Sequence, residues 1–460
     1  MAPCRARPPG PGRGPMTPPA PTDPTLNLDE RPTAALPLGQ LVRLSLYWLG
    51  LSSIFAGLQA ILGGRLEFEH LVQPGTEGTA LFQMTAFGSL IAAIVQPTVG
   101  SLSDYTVSRW GRRKPYIVVG SVLDIVFLVG IASSSTVLTI AAFMTLLQVS
   151  ANVAQGPFQG YVPDLVPERQ VGLASALVGM FQVLGNVTGA VVAALAVATG
   201  QYAVATVALG VIEVITMLSV ALGVREGRAA KDRAGRSWAA VAREAWGTDV
   251  LRERSFLWLV GSRLFVLIGS LMLLNLGVFY LVRSLGLAEK ADAGQVYFVV
   301  SGLVAFGVLL TVLPAARASD RFGRKPVIYT ACGVGATALS IIAVAPSVPL
   351  VLVGAGLLGV STGSFLAVDW ALMTDIIPKA SSGRFMGISN VATASAGIFA
   401  TAFGGSLMDF VGGAERLGTG PRAAMWLAVG CYVVGAVLLR PVHEPRRGAA
   451  VAGEGAANPA

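Results

Sequence analysis

Long apolar runs separated by short polar turns occupy the chain almost without a break from residue 41 to residue 441. A helix needs about 20 mostly apolar residues to cross the hydrocarbon core of a bilayer. Inside that core each backbone N–H and C=O must be satisfied within the segment, which leaves helices as the answer for runs of this kind. Only 13% of the residues are charged, against about 25% in a soluble domain. The 55 glycines suit close helix packing in lipid. The expectation is an all-α, polytopic membrane protein.

Twelve spans are predicted: 41–63, 80–102, 116–133, 136–160, 171–198, 201–223, 256–282, 294–316, 327–345, 348–376, 385–410 and 421–440. They divide the chain into a six-helix bundle over 38–223, a charged linker over 224–255 and a second six-helix bundle over 256–441. Residues 1–37, rich in Pro, Gly and Arg, read as a disordered tail. Residues 442–460 read as a second tail. The first tail has no apolar signal-peptide core, so the first span is expected to act as an uncleaved anchor. Loops after the even spans hold nineteen Lys and Arg; the other loops hold five, namely Arg65, Arg283, Lys290, Arg416 and Arg422. By the positive-inside rule both termini lie in the cytoplasm of a cell-membrane protein.

The +8 formal charge is accounted for by these loops, and no basic, aromatic-interleaved stripe suggests a nucleic-acid partner. The three cysteines (Cys4, Cys332, Cys431) lack paired spacing, so neither a disulfide framework nor a metal site is expected. Two histidines, His70 and His443, are too few for a histidine-based catalytic cluster. No enzymatic activity and no cofactor is expected. Gly354-Ala-Gly-Leu-Leu-Gly359 fits a dinucleotide fingerprint but lies inside an apolar run with no preceding strand.

The two halves repeat. Gly111-Arg-Arg-Lys-Pro115 recurs as Gly323-Arg-Lys-Pro326, and Asp164-Leu-Val-Pro167 as Asp375-Ile-Ile-Pro378, both at an offset of 211 residues. Gly172 and Gly383 keep that offset. Gly100-Ser-Leu-Ser-Asp104 followed by Arg109-Trp-Gly-Arg-Arg-Lys-Pro115 resembles the signature loop between helices 2 and 3 of the major facilitator superfamily. Ala318-Ser-Asp-Arg-Phe-Gly-Arg-Lys-Pro326 is similar to its counterpart between helices 8 and 9. The extended first loop, Gln155-Gly-Pro-Phe and Gly185-Asn-Val-Thr-Gly189 resemble the glycoside–pentoside–hexuronide cation symporters and the sucrose–proton symporters. The resemblance implies twelve transmembrane helices in two pseudo-symmetric bundles, a monomer, and transport by alternating access. Carboxylate–arginine pairs among Asp104, Arg112, Arg113, Asp164, Asp320, Arg324, Lys325 and Asp375, at cytoplasmic helix ends, are expected to hold one half against the other in the outward-open state as a cytoplasmic gate. The plainer alternative for these loops is that they only set topology.

Ionisable groups inside the spans are costly, by roughly 2.5 kcal/mol or more, and need a partner or a wet cavity. Four stand out: Asp124, Glu213, Arg263 and Asp369. Arg263 and Asp369 sit at similar depth, about 10 Å from the cytoplasmic ends of their spans at 1.5 Å per residue. In the resembled fold their helices line the central cavity, so an intramembrane ion pair is expected, either a permanent brace or a switch for proton coupling. Asp124 and Glu213 are expected to be structural or to hydrogen-bond each other, and are secondary candidates for the proton path.

Amides point to the cargo. Gln59, Asn152, Gln155, Gln159, Gln182, Asn186 and Asn275, with Tyr47, Trp48, Phe158, Tyr161 and Trp370 as stacking faces, suit a neutral polyhydroxylated molecule such as a sugar. Helix–helix hydrogen bonding is the alternative for each amide. The resembled melibiose-type branch carries acidic residues within helix 2 for its cation; segment 80–102 has none, a departure that implies protons in place of sodium. The rival reading is a proton-driven exporter of small amphipathic compounds; residues 171–198 lack the proline of the drug-antiporter helix signature.

Overall fold

A computed structural model describes residues 34–224, 226, 237, 253–376, 389, 392, 393 and 395–442. The described residues form α1 (Leu38–Phe68), α2 (Glu77–Thr85), α3 (Gly88–Asp104), α4 (Lys114–Ser133), α5 (Val137–Gln159), α6 (Tyr161–Leu165), α7 (Val171–Thr199) and α8 (Tyr202–Gly223). The second half follows as α9 (Arg254–Phe279), α10 (Lys290–Phe322), α11 (Arg324–Val344), α12 (Val348–Ile376), α13 (Ser406–Gly412) and α14 (Thr419–Leu438). Ten of the helical stretches are long and apolar enough to cross a membrane. Many large apolar side chains on them face outward, such as Val126, Ile215, Leu310 and Val433, as hydrocarbon-facing surfaces do.

Segment 80–102, expected as one span, is instead two helices, α2 and α3, meeting at Ala86 and Phe87. The Thr85 hydroxyl donates back to the carbonyls of Leu81 (3.0 Å) and Phe82 (3.3 Å) just before that joint. Such back-bonding competes with the helical ladder and bends helices. The eleventh predicted span, 385–410, is described only in part. Its described stretch holds a π-helical segment, Ala400–Gly405. A second π-helical segment, Tyr280–Ser284, ends α9. π-bulges are rare and collect at functional sites.

Within the first half α1 packs on α7 and α8, and α4 on α5 and α8; within the second, α10 and α11 pack on α12, and α9 and α11 on α14. The halves meet where α1 faces α9, α7 faces α10, and α2 faces the Ala400–Gly405 segment. These meetings concentrate at one end of the bundle. Gly294 lies against the end of α7, where a side chain would come within 2.7 Å of the Ala194 carbonyl. Gly78 lies against Gly405, with no room for a Cβ on either. That end is the face opposite the loop 105–113 and Gly323, which define the basic face.

Candidate functional site

Arg263 lies nine residues into α9 and Asp369 seven residues before the end of α12. The structure brings them together in the interior. Arg263 Nη1 donates to Asp369 Oδ2, with the two side chains 1% and 0% exposed. Arg263 Nε also donates to Thr393 Oγ1 at 3.1 Å. The guanidinium carbon stands 4.7 Å from the centre of the Trp370 ring, a cation–π distance. Asp369 Oδ1 is buried with no hydrogen-bond partner among the described residues. A buried carboxylate with one oxygen paired and the other orphaned has room for a proton on the orphan oxygen, and protonation there would weaken the hold on Arg263. Trp370 itself is 37% exposed, while the pair is enclosed.

The amide candidates divide. Asn275 donates through Nδ2 to the Gly397 carbonyl at 3.1 Å, joining α9 to the stretch after Thr393. Asn152 spends its amide on the Gln148 carbonyl of its own helix at 2.7 Å. Gln155, Gln159 and Gln182 are half-buried and Asn186 is exposed. Gln59 keeps a buried Oε1 without a partner. Phe158 is 3% exposed, edge-on to Tyr47 at 4.8 Å and to Tyr161 at 5.8 Å, with Trp48 at 5.7 Å. It sits in an aromatic core among Tyr47, Tyr161 and the half-buried Trp48. An apolar groove of about 430 Å3 lined by Thr330, Gly333, Val334, Thr337 and Leu357 shares no residue with the candidates.

The basic-face loops form tight clusters, each within one half. Arg113 Nη2 donates to Asp104 Oδ1 (2.7 Å), its Nε to Asp164 Oδ2 (2.8 Å) and its Nη1 to the Pro157 carbonyl (3.0 Å). Arg112 pairs with Asp164 as well. Gly160 makes room for this, since a Cβ there would strike the Arg113 guanidinium. In the second half Arg324 pairs with Asp320 at 2.8 Å and Lys325 donates to the Arg440 and Val442 carbonyls. The expected gate has such pairs spanning the two halves. In this conformation the described pairs stay inside one half, because the loops 105–113 and 160–170 that supply them belong to neighbouring helices of the same bundle. The Asp375 side chain and residues 377–388 lie outside the described residues.

Glu226, at the start of the linker, was not singled out by the sequence. It accepts from the backbone N–H groups of Arg113 (2.8 Å) and Lys114 (3.0 Å), capping α4, and from the Tyr161 hydroxyl. Burial and the adjacent Glu226 carboxylate hold that phenol well above its usual range, so it remains a donor.

The opposite face carries contacts that do cross the halves. Arg283, on the π-helical end of α9, reaches Glu67 of α1 (2.7 Å) and Glu77 of α2 (3.1 Å). Arg416 reaches the same two carboxylates at 2.6 and 3.1 Å. Asp409 of α13 accepts from the Gly78 and Thr79 N–H groups at 3.1 and 2.7 Å, an anion at the N-terminus of α2 supplied by the other half. Sequence reading counted Arg283 and Arg416 only as loop charges and passed over the three carboxylates. The available signal was Asp409 inside a predicted span and Glu67 at the edge of another.

A family model described as MFS/sugar transport protein matches residues 74–439. Among curated proteins, Sucrose transport protein SUT1 of Oryza sativa subsp. japonica is 29% identical over 124 residues, 22% of this chain and 23% of that protein. Sucrose transport protein SUC4 of Arabidopsis thaliana is 31% identical over 133 residues, a quarter of each chain. The matches thus span about a quarter of the relatives' length. Among solved structures, nucleoside transporter NupG superposes with a TM-score of 0.67 at 13% identity, covering 88% of this chain and 98% of its own. A D-xylose-proton symporter gives 0.64 at 16% identity, covering 88% and 98%. At such identity these superpositions establish the fold alone.

Proposed function

The chain belongs to the MFS/sugar transport protein family, and on that premise we propose that it is a proton-coupled symporter of a sugar or glycoside working by alternating access. The observation that carries this reading is the Arg263–Asp369 pair, fully buried, with one carboxylate oxygen orphaned. A pair taken out of water is held by its own geometry, and losing one partner strands the other charge. Protonation of Asp369 from one side of the membrane, with a hydroxyl-rich cargo taking over the guanidinium's hydrogen bonds, would release Arg263 without stranding it. Sucrose is the cargo named for SUT1 and SUC4, and the matching family model is described as MFS/sugar transport protein; both support a sugar here.

In this reading the protein is a multi-pass cell-membrane monomer with its basic face and both termini in the cytoplasm. The contacts crossing the opposite face then close the external side, and the conformer is inward-facing. Reconstituted protein under an inward proton gradient should accumulate at least one labelled disaccharide from a panel. Asp369→Asn should abolish uphill accumulation yet leave exchange of the same sugar. Full, normally pH-dependent accumulation by Asp369→Asn would sink Asp369 as the coupling group. No accumulation by the native protein, with drug resistance on overexpression, would favour the exporter.

A further inference from the structure

A buried pair of carboxyl groups lies in the first half. Asp124 is ten residues from the start of α4 and Glu213 ten residues from the end of α8. Both therefore sit about 15 Å from the basic face at 1.5 Å per residue. Close helix crossings set them there. A Cβ on Gly120 of α4 would come within 2.6 Å of the Ser150 carbonyl on α5, and one on Gly50 of α1 within 2.7 Å of the Glu213 Cα. Both carboxyls are 0% exposed.

Each carboxyl has one oxygen served by a hydroxyl. The Tyr47 hydroxyl donates to Glu213 Oε1 at 2.9 Å and pairs with Ser121 Oγ at 2.6 Å; Ser150 Oγ donates to Asp124 Oδ1. The other two oxygens, Asp124 Oδ2 and Glu213 Oε2, are buried and have no donor. The Tyr47 hydroxyl, bonded at once to Glu213 and to Ser121 one turn before Asp124 on α4, sets the two carboxyls on neighbouring turns of the packed helices α4 and α8. No salt bridge reaches either among the described residues. Among the described residues Tyr47 from α1 is the one other titratable group in contact with them, and α5 and α7 contain no ionisable residue. A carboxylate only accepts, and two that share a site without a cation cannot both ionise.

We propose that Asp124 and Glu213 together bind one proton, forming a protonation site in the first half of the chain separate from Arg263 and Asp369. The site differs from the Arg263–Asp369 pair in kind: a cation balances the charge there, and a proton does so here. Tyr47 joins it to the Phe158 aromatic core beside Trp48. Use of this proton in transport rests on the reading above; its presence does not.

Infrared spectroscopy of the purified full-length protein at neutral pH provides the test. The native protein and Asp369→Asn should both show the carbonyl stretch of a protonated carboxylic acid, shifted in D2O. Difference spectra should register loss or displacement of that band in Glu213→Gln and in Asp124→Asn. Glu213→Asp, which keeps a carboxyl, should displace the band without removing it, and serves where an amide variant does not fold. Absence of the band from the native protein, or the same band unchanged in all three variants, overturns the proposal. A native protein that shows the band but accumulates no sugar counts against the sugar reading and leaves the proton site standing.

Discussion

The two faces of the bundle hold their charges in different ways. On the basic face Arg112 and Arg113 pair with Asp104 and Asp164 inside the first half, and Arg324 pairs with Asp320 inside the second. On the opposite face Arg283 and Arg416 of the second half pair with Glu67 and Glu77 of the first. A tie within one half travels with it as a rigid body. A tie between halves must break for that end to open. The π-helical segments add to the contrast, since both sit on the crossing face: one bears Arg283 and the other packs on Gly78. Among the described residues, ties between the halves are therefore concentrated on a few side chains at one end, and ties within a half at the other.

The largest test of this contrast is Arg283→Ala. It leaves Glu67 and Glu77, 3% and 2% exposed, facing each other with Arg416 alone. Removing one partner from a buried ionic cluster costs about 3–5 kcal/mol. The closed opposite face should loosen, read as faster labelling of a cysteine placed at Gln59, in a background without the native cysteines, by a membrane-impermeant thiol reagent. Unchanged labelling would break the comparison. A smaller effect is expected from Arg113→Ala. It strips donors from Asp104, Asp164 and the Pro157 carbonyl, at about 1–3 kcal/mol for groups left unsatisfied. That loss should lower the thermal midpoint while labelling at Gln59 stays as in the native protein, since the brace is internal to one half. Smallest of all is Asp320→Asn. Asp320 is 61% exposed, and exposed pairs contribute about 0–1 kcal/mol. Its midpoint should hardly move; a large drop would mean that the second signature loop braces its half as firmly as the first does.

Much of the architecture was legible in one dimension. Hydropathy marks the apolar helices because lipid forbids unpaired backbone, and the signature loops repeat at a 211-residue offset. Arg263 and Asp369 could be matched because both stand out as charges at similar depth on spans that the resemblance placed around a cavity. Other residues have contacts that hydropathy does not register. Phe158 looked like a stacking face, yet its ring is enclosed by Tyr47, Trp48 and Tyr161. Asn152 looked like a cargo ligand, yet its amide is bonded to its own helix. The break in segment 80–102 depends on a threonine hydroxyl competing with the helical ladder, which hydropathy does not register.

Depth in the membrane, then, was set by the sequence alone: a charge inside an apolar run reports how far it lies from either surface, because each helical residue advances a fixed 1.5 Å. Partnership was decided by the tertiary structure. Arg283 meets Glu67 across 216 residues of chain, and Gly78 meets Asp409 across 331. Such pairings depend on the rotation of each helix about its own axis and on which helices adjoin, quantities fixed by packing between surfaces and left open by hydropathy.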